Sequence, residues 1–356
     1  MKVLLDPEGW GKAARRRRRR RRRRLFALLG LVAALGLLAL WWELRFDAPE
    51  EFWKQKGDLV GVEIDTLDGD AAYAAYDVRL ASSTGQSIRG HLRVPRQEGA
   101  WPSIIVIGGV GTGRMAAQLI TPDEPYVVLG LDYPWEGSTR FSPLQFLLHV
   151  LAIRRAMLET PSAVMLALDY LRAHPSIDKS GPVLVGASFG AQLMTVAGAL
   201  DTRAGPVLSV YGGGDFAALL YHNLDVRPEW LRSALAKAGA WLLWPVEPTR
   251  YVADIAPRPF VMINGNQDKR IPTASVEALY QAAGEPKRLI WLDEGHITPR
   301  DPELLSRVLD AAAEALVDLS RKRPEAVEGS GEDQPRGPSV TRVGASRRTP
   351  VRRSSR

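Results

Sequence analysis

One serine stands between two glycines in the segment Gly-Ala-Ser-Phe-Gly at 186–190. A short apolar run precedes the segment, and an apolar pattern with helical spacing follows it. This sequence predicts a strand that turns abruptly into a helix, with Ser188 at the corner. Gly186 and Gly190 would leave room there for the close approach of strand and helix. Because the helix N-terminus favours developing negative charge, Ser188 is a candidate nucleophile.

Two later residues are of the types that activate a serine. Asp268 and His296 each come directly after an apolar run typical of a strand. Imidazole accepts a hydroxyl proton near neutral pH, and a carboxylate on its other nitrogen selects the tautomer and stabilises the imidazolium. The chain order Ser188, Asp268, His296 is the one expected for a serine triad on a parallel sheet. Asp215, which follows an earlier strand, is the alternative acid.

A tetrahedral intermediate also needs hydrogen-bond donors for its oxyanion. We expect one donor to be the backbone N–H of Phe189, the residue after the nucleophile. The glycine-rich loop after the apolar run 103–107 offers the second, for which we expect the N–H of Val110, with Gly108 and Gly109 letting the main chain approach. This loop lacks the Lys-Ser/Thr ending of a phosphate-binding loop. No residue spacing suggests a metal site, and we expect no cofactor.

Strands and helices must position these residues. Apolar runs predict strands at 59–64, 76–80, 88–94, 103–107, 126–131, 182–187, 206–211, 259–264 and 288–292. Helical patterns lie between most of the later runs, so we expect an α/β fold with a mainly parallel sheet and helices on both faces. Pro161 predicts a break between helices at 141–159 and 162–174.

Residues 59–320 resemble an α/β-hydrolase-fold serine hydrolase, in the style of dienelactone-hydrolase-like and acyl-peptidase-like esterases. The residues that carry the resemblance are those at 186–190, Gly265-Asn266-Gln267-Asp268, Ile271-Pro272, Gly295-His296, and Asp132 with Gly137 and Ser138. The resemblance implies a fold-supporting role for Asp132. Many relatives carry His-Gly where this chain has Gly108-Gly109, and since the donors there are backbone groups, the difference leaves the predicted chemistry intact.

A tryptophan-rich insertion separates two of the predicted strands, at about 213–250. We expect a helical cap over the pocket, and contact with a membrane surface is the alternative. His222 lies within the insertion as a further candidate for the pocket. The predicted function is hydrolysis of a carboxylic ester, or of an amide, through an acyl-enzyme. Two alternatives remain open: an acyltransferase on the same fold, and a catalytically silent domain that serves binding or scaffolding.

The basic residues of the chain are concentrated at its ends. The net charge is +7, but residues 1–24 carry +10 and residues 323–356 carry +4, which leaves −7 for residues 25–322. We expect residues 1–24 to form a cytoplasmic tail and residues 323–356, rich in Pro, Gly, Ser and Arg, to be disordered. The acidic middle argues against specific nucleic-acid binding. The chain has no cysteine, so thiol chemistry is excluded.

Residues 25–42 are apolar throughout and follow ten consecutive arginines. A helix of this length reaches about 27 Å, close to the hydrocarbon thickness of a bilayer. The arginines predict a cytoplasmic N-terminus, with an uncleaved transmembrane helix, a polar link at 43–58 and an extracytoplasmic hydrolase domain at 59–322. A cleaved signal peptide, a twin-arginine signal and a nucleic-acid-binding arginine run are the alternatives.

Overall fold

A computed structural model of the protein describes residues 49–321 except 123, 136, 138–142 and 179, and seven residues between 30 and 41. Those seven residues, which are Gly30, Leu31, Ala34, Leu35, Gly36, Leu38 and Trp41, are helical and exposed. The rest of the predicted transmembrane segment 25–42 and both predicted tails lie outside the described residues. Within the described residues, no helix combines the length and the apolar character needed to cross a bilayer.

Nine strands form one mixed sheet, and each corresponds to a strand expected from the sequence. The strands are β1 (Leu59–Leu67), β2 (Tyr73–Ser82), β3 (Ser87–Pro95), β4 (Ser103–Ile107), β5 (Val127–Leu131), β6 (Val183–Ala187), β7 (Val207–Val210), β8 (Phe260–Gly265) and β9 (Lys287–Leu292). Their order in the sheet is β1-β2-β3-β5-β4-β6-β7-β8-β9. The pairs β1–β2, β2–β3 and β3–β5 are antiparallel, whereas all pairs from β5 through β4 to β9 are parallel.

Helices cover the sheet. The described α-helices are α1 (Pro49–Lys56), α2 (Pro143–Ala173), α3 (Phe189–Leu200), α4 (Phe216–Asn223), α5 (Glu229–Leu243), α6 (Thr273–Ala282) and α7 (Pro302–Arg321), and the 3₁₀ segments are Gly113–Gln118, Trp244–Val246, Pro248–Arg250 and Val252–Ile255. All residues of β4, β5, β7 and β8 are buried. Burial on both faces is the reason why these strands are continuous apolar runs in the sequence.

The predicted break at Pro161 is wrong, because α2 runs from Pro143 to Ala173 with Pro161 inside it. A proline within a helix costs about 3 kcal/mol, through a lost hydrogen bond and a steric clash. Here the surrounding turns are almost completely buried: Thr160 and Ser162 are fully inaccessible, and the Ser162 hydroxyl donates to the Phe52 carbonyl at 2.9 Å. The free energy of packing these turns outweighs the local penalty.

A helix that precedes β1 also belongs to the packed fold. Within the expected polar link 43–58, residues Pro49–Lys56 form α1, and Phe52 is fully buried in the core against α2. Lys56 forms an ion pair with Asp169 of α2, with 2.5 Å between Nζ and Oδ2. Two adjacent aromatic residues, Phe52 and Trp53, among charged residues give no periodic signal, so the sequence pattern did not reveal this contact.

Candidate active site

Ser188 occupies the corner between β6 and α3 in a strained backbone conformation. Its φ is 54° and its ψ is −118°, a combination that residues with a side chain rarely adopt. The Ser188 N–H donates to the Val210 carbonyl at 2.8 Å, which ties the corner to the end of β7. The strain persists because the surrounding sheet over-determines this turn. It holds the Ser188 hydroxyl beyond the carboxyl edge of the sheet.

The two flanking glycines are required by close backbone contacts. A Cβ atom on Gly186 would lie 2.5 Å from the Gly190 carbonyl oxygen and 2.6 Å from the Ala191 Cα. A Cβ atom on Gly190 would lie 2.4 Å from the Ile107 carbonyl oxygen. Because these neighbours are backbone atoms, a side chain at either position would have to displace a strand or the start of α3.

A chain of two hydrogen bonds joins Ser188, His296 and Asp268. Ser188 Oγ lies 2.8 Å from His296 Nε2, and His296 Nδ1 lies 2.7 Å from Asp268 Oδ2. The side chain of Asp268 is only 1% exposed and that of His296 is 13% exposed. The three residues come from the segments after β6, β9 and β8, whose carboxyl ends meet at one edge of the sheet.

Asp268 is held as an anion by the groups around it. Burial by itself would raise the pKa of Asp268, but hydrogen bonds outweigh it and the pKa lies below its ordinary value. The donors are the His296 ring and the backbone N–H groups of Arg270 and Ile271, the last two at 2.7 and 3.2 Å from Oδ1. A buried carboxylate that accepts three hydrogen bonds is suited to orient and stabilise an imidazolium.

Asp215, the alternative acid, lies elsewhere. It is exposed and caps the N-terminus of α4, where Oδ1 accepts a hydrogen bond from the Ala218 N–H at 3.1 Å. Its φ of 55° is left-handed. The structure therefore brings Asp268, and not Asp215, to His296.

The loops that carry Asp268 and His296 are bonded to each other through their backbones. The Gln267 N–H donates to the Glu294 carbonyl at 3.0 Å. Gly265 permits this approach, since a Cβ atom there would lie 2.3 Å from the same carbonyl oxygen. These contacts fix the distance between acid and base, which single-sequence reasoning could place only in the same region.

The ring of Tyr211 packs against the imidazole of His296. No motif in the sequence marks this residue. Its ring lies edge-on to the His296 ring, with 5.6 Å between centroids and an interplanar angle of 82°. The Tyr211 side chain is fully buried, and its hydroxyl has no hydrogen-bond partner among the described residues. Burial, and then the charges of Asp268 and Glu294, raise the pKa of Tyr211 to about 12, so the phenol stays neutral.

The glycine-rich loop after β4 lies against Ser188. A Cβ atom on Gly109 would be 3.7 Å from the Ser188 Cβ and 4.0 Å from its Oγ. Neither the Phe189 N–H nor the Val110 N–H has a hydrogen-bond acceptor among the described residues. The loop itself closes on Gly109, whose carbonyl accepts from the N–H groups of Thr112 and Gly113 at 2.8 and 3.0 Å. Both N–H groups are therefore free of acceptors among the described residues, and their role as oxyanion donors stays a prediction.

Two side chains after β5 hold this loop, and only the first was anticipated as a supporting residue. Asp132 Oδ2 pairs with Arg114 Nη1 at 2.7 Å, and its Oδ1 accepts from the Arg114 N–H at 3.0 Å. The Tyr133 hydroxyl donates to the Gly108 carbonyl at 2.5 Å, while its ring contacts that of Phe189 with 5.5 Å between centroids. Burial raises the pKa of Tyr133, so its hydroxyl remains a donor. No motif in the sequence marks Tyr133.

A cavity of about 1120 Å³ opens beside Ser188 and His296. Its walls are the loop 108–112, the segment 116–126, one face of the sheet, and α7. No residue of the insertion 213–250 lines it, so the expected cap over the pocket is not found at this cavity. His222 of the insertion contacts the Lys269 carbonyl at 3.0 Å instead. Among the described residues, no cluster of three or more His, Asp or Glu side chains is arranged to hold a metal ion.

No protein-family model matches the chain. Two curated proteins from Escherichia coli, of strain K12 and of O157:H7, both described as uncharacterized protein YfhR, are 25% identical to it over 242 residues. The matches cover 65% of this chain and 76% of each relative.

Solved structures share the architecture. Acetyl xylan esterase 1 from Thermoanaerobacterium sp. JW/SL YS485 matches with a TM-score of 0.54 and 18% identity, over 76% of this chain and 93% of that one. An acetyl xylan esterase from Paenibacillus sp. R4 has a TM-score of 0.55 and 18% identity, over 74% and 92% of the two chains. Pyrococcus horikoshii acylaminoacyl peptidase has a TM-score of 0.52 and 16% identity, over 72% and 43%. The protein therefore has an α/β-hydrolase-like fold, with a mixed sheet flanked by helices.

Proposed function

We propose that the protein is a serine hydrolase that cleaves a carboxylic ester through an acyl-enzyme. The observation that carries the proposal is the hydrogen-bonded chain from Asp268 through His296 to Ser188, with distances of 2.7 and 2.8 Å, beside a large cavity. The strained φ of 54° at Ser188 adds support, because backbone strain of this kind concentrates at functional sites. The solved esterases of the same fold are consistent with this chemistry.

Acylation starts with attack of Ser188 Oγ on the carbonyl carbon of the ester. His296 Nε2 accepts the hydroxyl proton in the same step, and the Asp268 carboxylate stabilises the resulting imidazolium through Nδ1. The carbonyl oxygen becomes an oxyanion as the C–O bond to Ser188 forms. When the tetrahedral intermediate collapses, the bond to the alcohol oxygen breaks and the alcohol leaves with the proton from His296.

Deacylation repeats the sequence with water as the nucleophile. His296 Nε2 takes a proton from the water while the hydroxide attacks the acyl carbon, and collapse returns that proton to Ser188 Oγ. The products are the carboxylic acid and the free enzyme. An alcohol in place of water would make the same intermediate an acyl donor for transfer, which is the alternative reaction on this site.

The oxyanion in both steps is assigned to two backbone donors. Phe189 is the first residue of α3, and the helix dipole adds positive potential at its N–H group. The Val110 N–H lies on the loop whose Gly109 backbone sits against Ser188. Both N–H groups lack a protein acceptor among the described residues, as a ready oxyanion site requires.

A fluorophosphonate probe on the full-length protein tests this function. The probe phosphonylates an activated serine, so we expect labelling of wild type and of the control Ser87→Ala, which removes an exposed hydroxyl at the start of β3. Ser188→Ala should abolish labelling and lower ester hydrolysis by about 10⁴-fold or more. Equal labelling of wild type and Ser188→Ala would refute the assignment and favour a catalytically silent domain.

We further propose that residues 25–42 anchor the protein in a membrane, with the N-terminus in the cytoplasm and the hydrolase domain outside it. The continuous apolar run, the preceding arginines and the terminal Trp41 and Trp42 support this topology. Trp230 and Trp241 of α5, which are 70% and 64% exposed, are of the type enriched at membrane interfaces. Protease added to intact cells should digest the domain beyond residue 42, and digestion only after the cytoplasmic side is opened would reverse the orientation.

A further inference from the structure

The cavity beside Ser188 extends far from the reacting atoms, along one face of the sheet. Its floor consists of apolar side chains from three adjacent parallel strands, namely Ile104, Val106, Val183, Val185, Leu208 and Val210. The strand register aligns them in rows across β4, β6 and β7, with Ile104 beside Val183 and Val185 beside Leu208. From Val183 to Ser188 the floor spans five residues, or about 17 Å.

The opposite wall is the C-terminal helix α7. Eight of its residues line the cavity, and all but Asp310 are apolar, namely Leu305, Val308, Leu309, Ala312, Ala313, Leu316 and Val317. From Leu305 to Val317 the helix rises by about 18 Å. The strand floor and helix α7 thus give similar lengths for the cavity. Ala312 and Ala313 have small side chains, so they leave cavity volume for a ligand that larger side chains would fill.

The third wall explains why this space is open. The chain after the glycine-rich loop forms the short 3₁₀ segment Gly113–Gln118, and the described residues 119–122 and 124–126 that follow are neither helix nor strand. These residues border the cavity through Ala116, Leu119, Ile120 and Tyr126. Among the described residues of this stretch there is no full α-helix against β4 and β6, so this side of the cavity is bordered by irregular chain.

Apart from His296, the charged side chains that line the cavity are exposed. Glu124, Thr298, Arg300 and Asp310 are exposed, whereas the floor residue Val106 is only 1% accessible. An apolar space that starts at a nucleophile and runs along one face of the sheet can hold the hydrocarbon chain of an acyl group. With a C–C bond of about 1.5 Å and an angle near 111°, each carbon adds about 1.25 Å, so about 17 Å holds roughly 13 carbons.

We infer that the substrate is an ester of a long aliphatic acid, of about twelve to fourteen carbons, whose acyl chain lies between the sheet face of β4, β6 and β7 and helix α7. This assignment rests on the proposed function, because it takes Ser188 as the point where the acyl carbon is bound. The chain enters the groove with its carboxyl end at Ser188 and its methyl end toward Val183 and Leu316. Its methylenes pack against the apolar side chains of the two walls.

The test is a chain-length series of p-nitrophenyl esters, from two to sixteen carbons, on the full-length protein with constant detergent. For wild type we expect kcat/KM to rise with each methylene, by up to about fourfold, and to level off at twelve to fourteen carbons. Ala312→Phe places a ring about 10 Å along α7 from Leu305, a distance that spans roughly eight carbons. Its plateau should move to about eight carbons, and the dodecanoyl-to-butanoyl ratio of kcat/KM should fall roughly 100-fold.

Two further variants make the result specific. Ala313→Phe also projects into the groove but starts from an exposed position, so it tests the same prediction with little risk to folding. Ser306→Phe adds the same ring to an exposed position of α7 that does not line the cavity, and it should keep the wild-type ratio. An unchanged chain-length profile in both alanine variants, or a wild-type preference for acetyl esters, overturns the inference.

A binding measurement separates failure of this inference from failure of the proposed function. The Ser188→Ala protein is titrated with tetradecanoate and with butanoate by calorimetry, which needs no turnover. We expect tetradecanoate to bind and Ala312→Phe in the same background to weaken it at least tenfold. Short-ester turnover and probe labelling without this binding would leave the hydrolase proposal standing and refute the groove. If labelling and turnover were absent but tetradecanoate still bound, the hydrolase proposal would be refuted and the groove would stand as a binding site.

Discussion

Asp268→Asn tests whether the tautomer of His296 depends on this one carboxylate. In the protein Oδ1 accepts from the N–H groups of Arg270 and Ile271, and Oδ2 accepts from His296 Nδ1 at 2.7 Å. An asparagine would keep an oxygen on the two backbone donors and point its NH₂ at Nδ1. His296 would then carry its proton on Nε2, where it cannot accept the proton of Ser188.

The expected loss follows from the role of that proton transfer. Removing the correct tautomer of a triad histidine costs about 10⁴-fold in kcat, or about 5.4 kcal/mol of transition-state stabilisation. The assay is steady-state hydrolysis of a p-nitrophenyl ester, with circular dichroism to verify the fold. Asp215→Asn is the matched control, because Asp215 is exposed and its capping contact with the Ala218 N–H needs only an oxygen.

The control should retain full activity and lose well under 1 kcal/mol of stability. The reasoning would be refuted if Asp268→Asn kept more than a tenth of wild-type activity. It would also be refuted if Asp215→Asn lost as much activity as Asp268→Asn, since the acid would then have been assigned to the wrong loop.

Three further outcomes are expected. Gly190→Ala should destabilise the fold by about 1–3 kcal/mol in thermal melts and lower kcat about 100-fold or more. The reason is that the new Cβ would lie 2.4 Å from the Ile107 carbonyl oxygen and would have to displace it. Near-wild-type values would contradict this contact. Tyr211→Phe removes a hydroxyl without a partner and should leave the melting temperature equal or higher, whereas Tyr211→Ala should cost about 3–5 kcal/mol; a large loss in the phenylalanine variant would reveal a hidden hydrogen bond. The folded-state pKa of Asp268 lies below its unfolded value of 3.8, so the stability that its carboxylate contributes is complete above pH 3.8 and is lost as pH falls through the folded pKa. In urea melts, the difference in unfolding free energy between wild type and Asp268→Asn should therefore narrow below pH 3.8. A constant difference would contradict the lowered pKa.

The strands and the order of the site residues could be predicted from the sequence because both are local features. A strand buried on both faces must be a continuous apolar run, as 103–107 is, and a parallel sheet sends the segments after its strands to one edge. The helical spacing of residues 302–320 likewise follows from one apolar stripe against the sheet. The sheet-edge position of Ser188, Asp268 and His296 needed nothing beyond these rules.

The continuity of α2 through Pro161 and the burial of Phe52 could not be predicted in this way. Local propensity favours a break at a proline, and the adjacent pair Phe52 and Trp53 among charged residues shows no periodicity. Both were decided by packing between α1 and α2, where the Ser162 hydroxyl bonds to the Phe52 carbonyl across more than a hundred residues of chain. A contact between residues so far apart cannot be recognised from the pattern of any ten consecutive residues.

By itself the sequence determined a sheet of nine strands and the residue types at its carboxyl edge, since hydrophobic periodicity and turn chemistry act over a few residues. Only the tertiary structure decided that Asp268 rather than Asp215 meets His296, that Gly109 lies against Ser188, and that an apolar groove runs under α7. Each of these depends on the distance between segments far apart in the chain. Such distances are set by the packing of the whole domain.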